Sequence, residues 1–197
     1  MKTIVTIGRE YGSGGRLIAQ KVADLLQVPF YDKELIEEVC RKTGYSEEYV
    51  KHSDMRPTGS CLYDLCFSGQ VPSVSDQIFV AQSHVIRDLA DKGGCIIVGR
   101  CADYILHDRK ECLKVFVNAP LEERIRRARE DYGVKNDKLE SFVTKQDKYR
   151  ASYYNFFTSG RWGAAANYDL CINSRLGLDV TARIVAEAAR ELEKTLS

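Results

Sequence analysis

Four glycines lie between positions 8 and 15 and form the chemically most informative stretch of the chain. Residues 3–7 alternate as in a strand and residues 18–25 are apolar at helical spacing, so the glycines occupy a strand-to-helix turn. Glycine lets a backbone approach an anion, and the first turn of a helix offers N–H groups to that anion. A tight turn that binds nothing would need fewer glycines than Gly12-Ser13-Gly14-Gly15 contains. The stretch from Arg9 to Arg16 is therefore predicted to bind phosphate.

Two motifs resemble those of the cytidylate kinase-like family, a branch of the P-loop nucleoside monophosphate kinases. They are Gly12-Ser13-Gly14-Gly15-Arg16 and Val28-Pro29-Phe30-Tyr31-Asp32-Lys33-Glu34-Leu35. The resemblance implies an α/β fold of three layers, a parallel sheet with helices on both faces, with a helical insertion and a lid. It also implies transfer of the γ-phosphoryl group of ATP to a nucleoside monophosphate or a related small acceptor. Mg²⁺ would arrive with ATP, without ligands from the protein.

The loop departs from the Walker pattern of these kinases, in which Gly-Lys is followed by serine or threonine, directly or after one more glycine. Gly15 stands at the position of the phosphate-binding lysine, and Leu17 stands at that of the magnesium-binding hydroxyl. Arg16 lies one residue after the lysine position and is permanently charged. We predict that Arg16 is catalytic. Lys148 and Arg150, in a segment that resembles the family's second lid-side cluster, are predicted to share the developing charge.

Strand and helix patterns alternate along the chain, which independently predicts a parallel sheet covered on both faces. The continuous apolar run of Cys95–Val98 suits a central parallel strand. Between residues 46 and 75 the periodicity loosens, and we predict a mobile insertion on the acceptor side. Residues 124–163 are expected to form the lid region of a single domain that spans residues 1–197.

Two residues are candidates for the acceptor side of the site. Arg100 follows Gly99 after the buried strand, so it is expected at the carboxyl edge of the sheet, where open α/β folds bind ligands. A guanidinium there can hold two oxygens of one phosphate, although it can also cap the next helix. The resemblance places this glycine-arginine pair in the monophosphate pocket. It further implies that Asp32, after the second strand, orients the acceptor or the magnesium shell.

One predicted helix of the lid is rich in arginine. Arg124 and Arg127 are three residues apart and share a face of that helix. The resemblance implies that both bind the phosphates of ATP. Ordinary solvated charge is the alternative, and it is our expectation for Arg126 and Arg129. The aromatic tract of residues 149–162 could stack a base, but its helical spacing predicts core packing.

The composition narrows the class of function. A formal charge of +1 gives no general attraction to nucleic acid or membranes, so the expected partner is a small nucleotide. No apolar stretch approaches the roughly 18 residues that span a bilayer, and no signal-peptide pattern is seen, so we expect a cytoplasmic protein. The seven cysteines lack metal-binding spacing and are expected to be reduced, without a structural metal. Homo-oligomer formation stays open.

Two other functions also stay open. A nucleotide-responsive binding or regulatory protein of the same fold, with little turnover, would explain the altered loop. A Rossmann-type dinucleotide-binding protein would explain why Gly12-Ser13-Gly14 opens a helix and why Asp32 lies 20 residues after Gly12. Leu17 at the third glycine position of that motif disfavours the dinucleotide hypothesis.

Overall fold

The computed structural model describes residues 1–48, 50, 73–158 and 160–196. Its strands are β1 (Ile4–Arg9), β2 (Phe30–Tyr31), β3 (Ile96–Val98), β4 (Cys112–Asn118) and β5 (Leu170–Asn173). Its α-helices are α1 (Gly15–Leu26), α2 (Lys33–Thr43), α3 (Val74–Asp91), α4 (Ala102–Ile105), α5 (Leu121–Glu130), α6 (Leu139–Phe157) and α7 (Leu178–Thr195). Most of the predicted insertion, residues 51–72, lies outside the described residues.

The strands form one parallel sheet in the order β2-β3-β1-β4-β5. β1 is central, and its Val5 pairs with Ile96 of β3 and with Leu113 of β4. The first four residues of β1 are buried, as expected of a strand that is covered on both faces. Because parallel strands end at the same edge, the residues that follow β1, β2 and β3 are brought together there.

Helices cover both faces of this sheet. On one face, Ile18 of α1 and Val185 of α7 pack in one cluster with Val5. On the other face, Ile86 of α3 packs in a cluster with Ile97 of β3, to which α2 and α6 also contribute. The predicted three-layer α/β fold is therefore confirmed. Within the described part of the chain, no helix combines the length and apolar character needed to cross a membrane.

The strand order distinguishes this sheet from that of a Rossmann fold. The Rossmann order is 3-2-1-4-5-6, in which the second strand is adjacent to the first. Among the residues that the structure describes, β3 lies between β2 and β1. The described strands do not have the arrangement on which the dinucleotide hypothesis depends.

Two element boundaries differ from those that the sequence pattern predicts. The pattern predicts a strand from Val28, whereas β2 contains only Phe30–Tyr31. Pro29 has no N–H to donate to a ladder, although its carbonyl accepts a 2.9 Å hydrogen bond from Ile96 N. The pattern also predicts a helix from about residue 137 to 154, whereas α6 begins at residue 139 and continues to Phe157, whose ring stacks on Phe79 at 4.3 Å.

The described cysteines carry free thiols. They are Cys40, Cys95, Cys101, Cys112 and Cys171. Burial raises the pKa of Cys95 and that of Cys112, each to about 12, so both thiols stay protonated at neutral pH. Such side chains behave as small apolar groups of the core.

Candidate active site

The glycine-rich loop, residues 9–16, joins β1 to α1 through two glycines with left-handed backbone. Gly12 and Gly14 both have a φ of 78°, a conformation that is costly for residues with a Cβ. α1 begins at Gly15, and no side chain caps its first turn. Because the first amides of a helix have no acceptor within that helix, they are the groups that an anion at this end would bind.

Side chains fix the glycine-rich loop by hydrogen bonds to its backbone carbonyls. The carbonyls of residues 9–13 each accept a hydrogen bond from one side chain. In order along the loop, the donors are Arg150 (3.0 Å), Ser13 (2.9 Å), Arg124 (2.9 Å), Arg127 (2.5 Å) and Ser174 (2.6 Å). Three of these donors come from α5 and α6, and a fourth comes from the turn after β5. The loop is therefore ordered by distant contacts before any ligand binds, which lowers the entropy cost of binding.

Arg124 and Arg127 are the buried arginines of this group, and each side chain is 7% exposed. Arg124 forms an ion pair with Asp147 and another, at 3.1 Å, with Glu10. The Asp147 carboxylate also accepts a 2.7 Å hydrogen bond from Tyr11 N. In this structure both arginines bind backbone carbonyls of the loop. A direct contact with ATP phosphates stays a prediction.

Arg16 and Asp32, two further predicted site residues, form an ion pair with each other. Arg16 Nε lies 2.5 Å from Asp32 Oδ2, and the guanidinium lies 5.9 Å from the Phe30 ring centroid. About half of the Arg16 side chain, 53%, is exposed. Each residue of a helix turns the side-chain direction by about 100°, and Arg16, one residue after the lysine position, is directed toward Asp32 and the Phe30 ring of β2. Its catalytic role stays a prediction.

A cavity of about 230 Å³ opens at the carboxyl edge of the sheet, beside the glycine-rich loop. Three arginines from different elements line it, namely Arg9 of β1, Arg100 after β3 and Arg150 of α6. The structure thus brings together three predicted site residues, two of which are 141 positions apart. Lys148 is exposed on α6 and is not among the described residues that line the cavity. Converging positive charge in a concave site suits an anionic ligand.

The aromatic tract contributes both to the core and to this cavity. Tyr153 and Phe157 are buried, which confirms the predicted core packing for these two side chains. Tyr149 and Trp162 are half-buried and line the cavity, as does one side of Tyr153. Flat aromatic surfaces beside cationic groups are suited to hold a planar ring of a ligand.

Sequence reasoning missed Asp103, a buried carboxylic acid that also lines the cavity. Tyr154 Oη donates a 2.8 Å hydrogen bond to Asp103 Oδ2. Burial raises the pKa of Asp103, and the hydrogen bond from Tyr154 opposes this shift. Burial, together with the Asp103 charge, also raises the pKa of Tyr154. The available signal was an acidic residue within the otherwise apolar segment of residues 101–106.

The backbone after β3 is unusual over three consecutive residues. Gly99, Arg100 and Cys101 have φ values of 73°, 59° and 55°. Left-handed backbone at a residue with a side chain costs about 1–3 kcal/mol, and such strain concentrates at functional sites. The carbonyl of Gly99 accepts a 3.0 Å hydrogen bond from Ala102 N, which closes this turn. Arg100 is therefore presented to the cavity from a strained turn.

A family model and a solved structure both match most of this chain. The model of the cytidylate kinase-like family matches residues 4–176. An uncharacterized protein from Eubacterium ventriosum ATCC 27560 superposes with a TM-score of 0.75 at 29% identity, over 97% of this chain and 99% of that chain. A search of curated proteins found no match.

Two solved kinases share the fold at low sequence identity. Shikimate kinase from Bacteroides thetaiotaomicron superposes with a TM-score of 0.56 at 15% identity, over 95% of this chain and 98% of that chain. A gluconokinase from Sinorhizobium meliloti 1021 has a TM-score of 0.57 at 12% identity, over 99% and 95% of the two chains. The matched family segment runs from β1 to the turn before α7, and the chain therefore belongs to the cytidylate kinase-like family, with the fold of the P-loop kinases.

Proposed function

We propose that the protein transfers the γ-phosphoryl group of ATP to a nucleoside monophosphate or a related small anionic acceptor. An oxygen of the acceptor attacks the γ-phosphorus, the bond from that phosphorus to the β–γ bridging oxygen breaks, and ADP leaves. Membership of a kinase-like family supports nucleotide phosphotransfer as the general activity. The observation that carries the proposal is the cavity in which Arg9, Arg100 and Arg150 converge beside the glycine-rich loop.

The donor side of the proposal rests on the glycine-rich loop. Its left-handed glycines and the start of α1 fit a phosphate chain, because no side chain caps the first turn of this helix with a hydrogen bond. Leu17 supplies no hydroxyl for Mg²⁺. The ion would therefore be held by ATP phosphates and water, a common arrangement for Mg²⁺, and would neutralise charge on the β- and γ-phosphates.

The acceptor side rests on Arg100 and the aromatic lining. Arg100 would hold the phosphate of the acceptor, while Tyr149 and Trp162 would contact its base or ring. Asp32 lies next to Arg16 at the end of β2, and we propose that this pair borders the acceptor site. Asp103, hydrogen-bonded by Tyr154, offers a further acceptor of hydrogen bonds for a ligand hydroxyl or amino group.

The test is a screen of ATP consumption against nucleoside monophosphates and small hydroxylated or anionic acceptors, with products separated by ion-exchange chromatography. We expect ADP formation to depend on one class of acceptor and to be matched by an equal amount of phosphorylated acceptor. ADP formation that does not respond to any acceptor would contradict phosphoryl transfer.

A nucleotide-responsive binding protein is the second candidate. Gly15 and Leu17 favour it, because the loop lacks both the lysine and the hydroxyl of a Walker pattern. ATP binding measured by calorimetry in the same series separates the two candidates. Tight ATP binding without transfer to any acceptor would favour the binding protein.

Replacing Gly14 by valine is expected to weaken ATP binding at least tenfold. Valine is strained at the φ of 78° of Gly14, and its Cβ would lie 2.6 Å from Leu178 Cδ2, so either the Leu178 side chain or the loop must shift. Calorimetry with ATP measures the effect.

Gly44→Val is the matched control for the Gly14 variant. Gly44 follows α2 with a similar φ of 75°, and among the described residues no atom other than those of its chain neighbours lies within 4 Å of the position of its Cβ. It carries a comparable backbone strain without touching the loop. Equal ATP affinity for Gly14→Val and for the control would contradict phosphate binding by the loop.

A further inference from the structure

The glycine-rich loop has the charge of a Walker loop at a different position. The Walker pattern is Gly-x-x-x-x-Gly-Lys. When this pattern is placed on residues 9–15, Gly14 matches its second glycine. Arg9 then stands at the first glycine, and Gly15 stands at the lysine. The chain therefore has a cation where the pattern has glycine, and glycine where the pattern has a cation.

The structure places these two exchanged positions in contact. Arg9 is the last residue of β1, and Gly15 is the first residue of α1. A Cβ at Gly15 would lie 2.6 Å from Arg9 Cβ and 3.0 Å from Arg9 Cγ. The Arg9 side chain therefore fills the space in front of the start of α1, where a residue with a side chain at position 15 would have to stand.

The far end of the Arg9 side chain reaches β3. A Cβ at Gly99 would lie 2.9 Å from Arg9 Cζ, so the guanidinium lies against the backbone of Gly99. Glycines on both sides, Gly15 and Gly99, make room for the length of the arginine. The guanidinium consequently lies between the start of α1 and the turn that carries Arg100, within the cavity.

We propose that Arg9 takes the place of the Walker lysine and binds the β- and γ-phosphates of the nucleotide. A guanidinium presents five N–H donors in a fixed plane and can bind oxygens of two neighbouring phosphates. The Arg9 backbone is fixed, because its carbonyl accepts the 3.0 Å hydrogen bond from Arg150. The phosphate contact requires only nucleotide binding, whereas a catalytic contribution of Arg9 rests on the proposed function.

The experiment introduces the Walker residues, glycine at position 9 and lysine at position 15, separately and together. Arg9→Gly, Gly15→Lys and the double variant are compared with the wild-type protein by calorimetry with ATP, ADP and AMP. The double variant restores Gly-x-x-x-x-Gly-Lys over residues 9–15. Arg126→Ala is the control, because Arg126 is an exposed arginine of α5 that pairs with Glu123 and Glu130.

We expect Arg9→Gly to weaken ATP and ADP binding about 10- to 100-fold, the effect of losing one charge-assisted hydrogen bond, with AMP binding unchanged. Gly15→Lys alone is expected to weaken ATP binding too, because the lysine Cβ collides with Arg9. The double variant is expected to recover ATP affinity to within a few-fold of wild type. Circular dichroism confirms that each variant is folded, and Arg9→Gln replaces Arg9→Gly if the glycine variant is not.

Three outcomes decide the proposal. Wild-type ATP affinity in both Arg9→Gly and Arg9→Gln would refute the phosphate contact and would leave Arg16 as the predicted cation. A double variant no better than the weaker single variant would refute the replacement of the lysine by Arg9. If the expected affinities are found but the wild-type protein phosphorylates no acceptor, the Arg9 contact stands and the proposed transfer function fails.

Discussion

Replacing Arg124 by alanine is expected to lower the free energy of unfolding by about 3–5 kcal/mol, the usual cost of breaking a buried ion pair. The Arg124 side chain is 7% exposed and lies between the carboxylates of Glu10 and Asp147, which are 26% and 15% exposed. Its Nε also donates to the carbonyl of Tyr11. The variant would remove the cation that the two carboxylates share and would leave Asp147 with the longer, 4.0 Å ion pair to Arg150. Urea denaturation followed by circular dichroism measures the loss.

Arg126→Ala serves as the control on the same helix, because its side chain is 46% exposed and its ion pairs lie at the surface. Its denaturation midpoint is expected to stay close to that of the wild-type protein. Arg124→Ala should also weaken ATP binding, since the loop loses one of the donors that fix its carbonyls. Equal midpoints for the two variants would show that the ion pairs of Arg124 do not stabilise the fold.

Replacing Arg100 by alanine is expected to raise the dissociation constant of the acceptor by at least about 100-fold and that of ATP only a few-fold. Two charge-assisted hydrogen bonds to one phosphate would be lost, each contributing about 1.5–3 kcal/mol. Arg100 follows β3, whereas the glycine-rich loop follows β1, so the two ligands are expected to depend on different residues. Calorimetry with each ligand separately, using the acceptor found in the screen, measures both constants.

Arg100→Gly provides the matched comparison. Glycine removes the same guanidinium but also relieves the backbone strain at a φ of 59°. We expect the glycine variant to lose as much acceptor affinity as Arg100→Ala while being more stable than it by about 1 kcal/mol. A similar loss of affinity for ATP and for the acceptor would contradict the assignment of Arg100 to the acceptor side.

The sequence predicted those features that depend on neighbouring residues. The apolar alternation before Gly8 and the helical spacing after Arg16 are local patterns, and they located the turn between β1 and α1. Alternating strands and helices likewise predicted the parallel sheet, because such connections leave few other arrangements. The sequence also predicted Arg100 at the carboxyl edge of that sheet, and in the structure Arg100 lines a cavity at this edge together with Arg9.

The direction of side chains was not predictable in the same way. The spacing of Arg124 and Arg127 indicated one shared face, but only the packing of α5 against the loop directs that face to the carbonyls of residues 11 and 12. The hydrogen bond between Asp103 and Tyr154 joins residues 51 positions apart, and the acidic residue in an apolar segment does not indicate which partner it has. The direction of Arg16 likewise depends on tertiary contacts, which in this structure are with Asp32 and Phe30.

The close approach of Arg9 to Gly15 restricts which mutations the loop tolerates over evolutionary time. A Cβ at position 15 would lie 2.6 Å from the Arg9 Cβ, so a lysine that arose there first would meet an occupied space. A glycine that arose first at position 9 would open the space but remove the cation. With the proposed role of Arg9, either single mutation would impair the protein, so a double mutation would separate the two arrangements of the loop. Among relatives of this chain, we expect arginine at the position of Arg9 and glycine at the position of Gly15 to be inherited together.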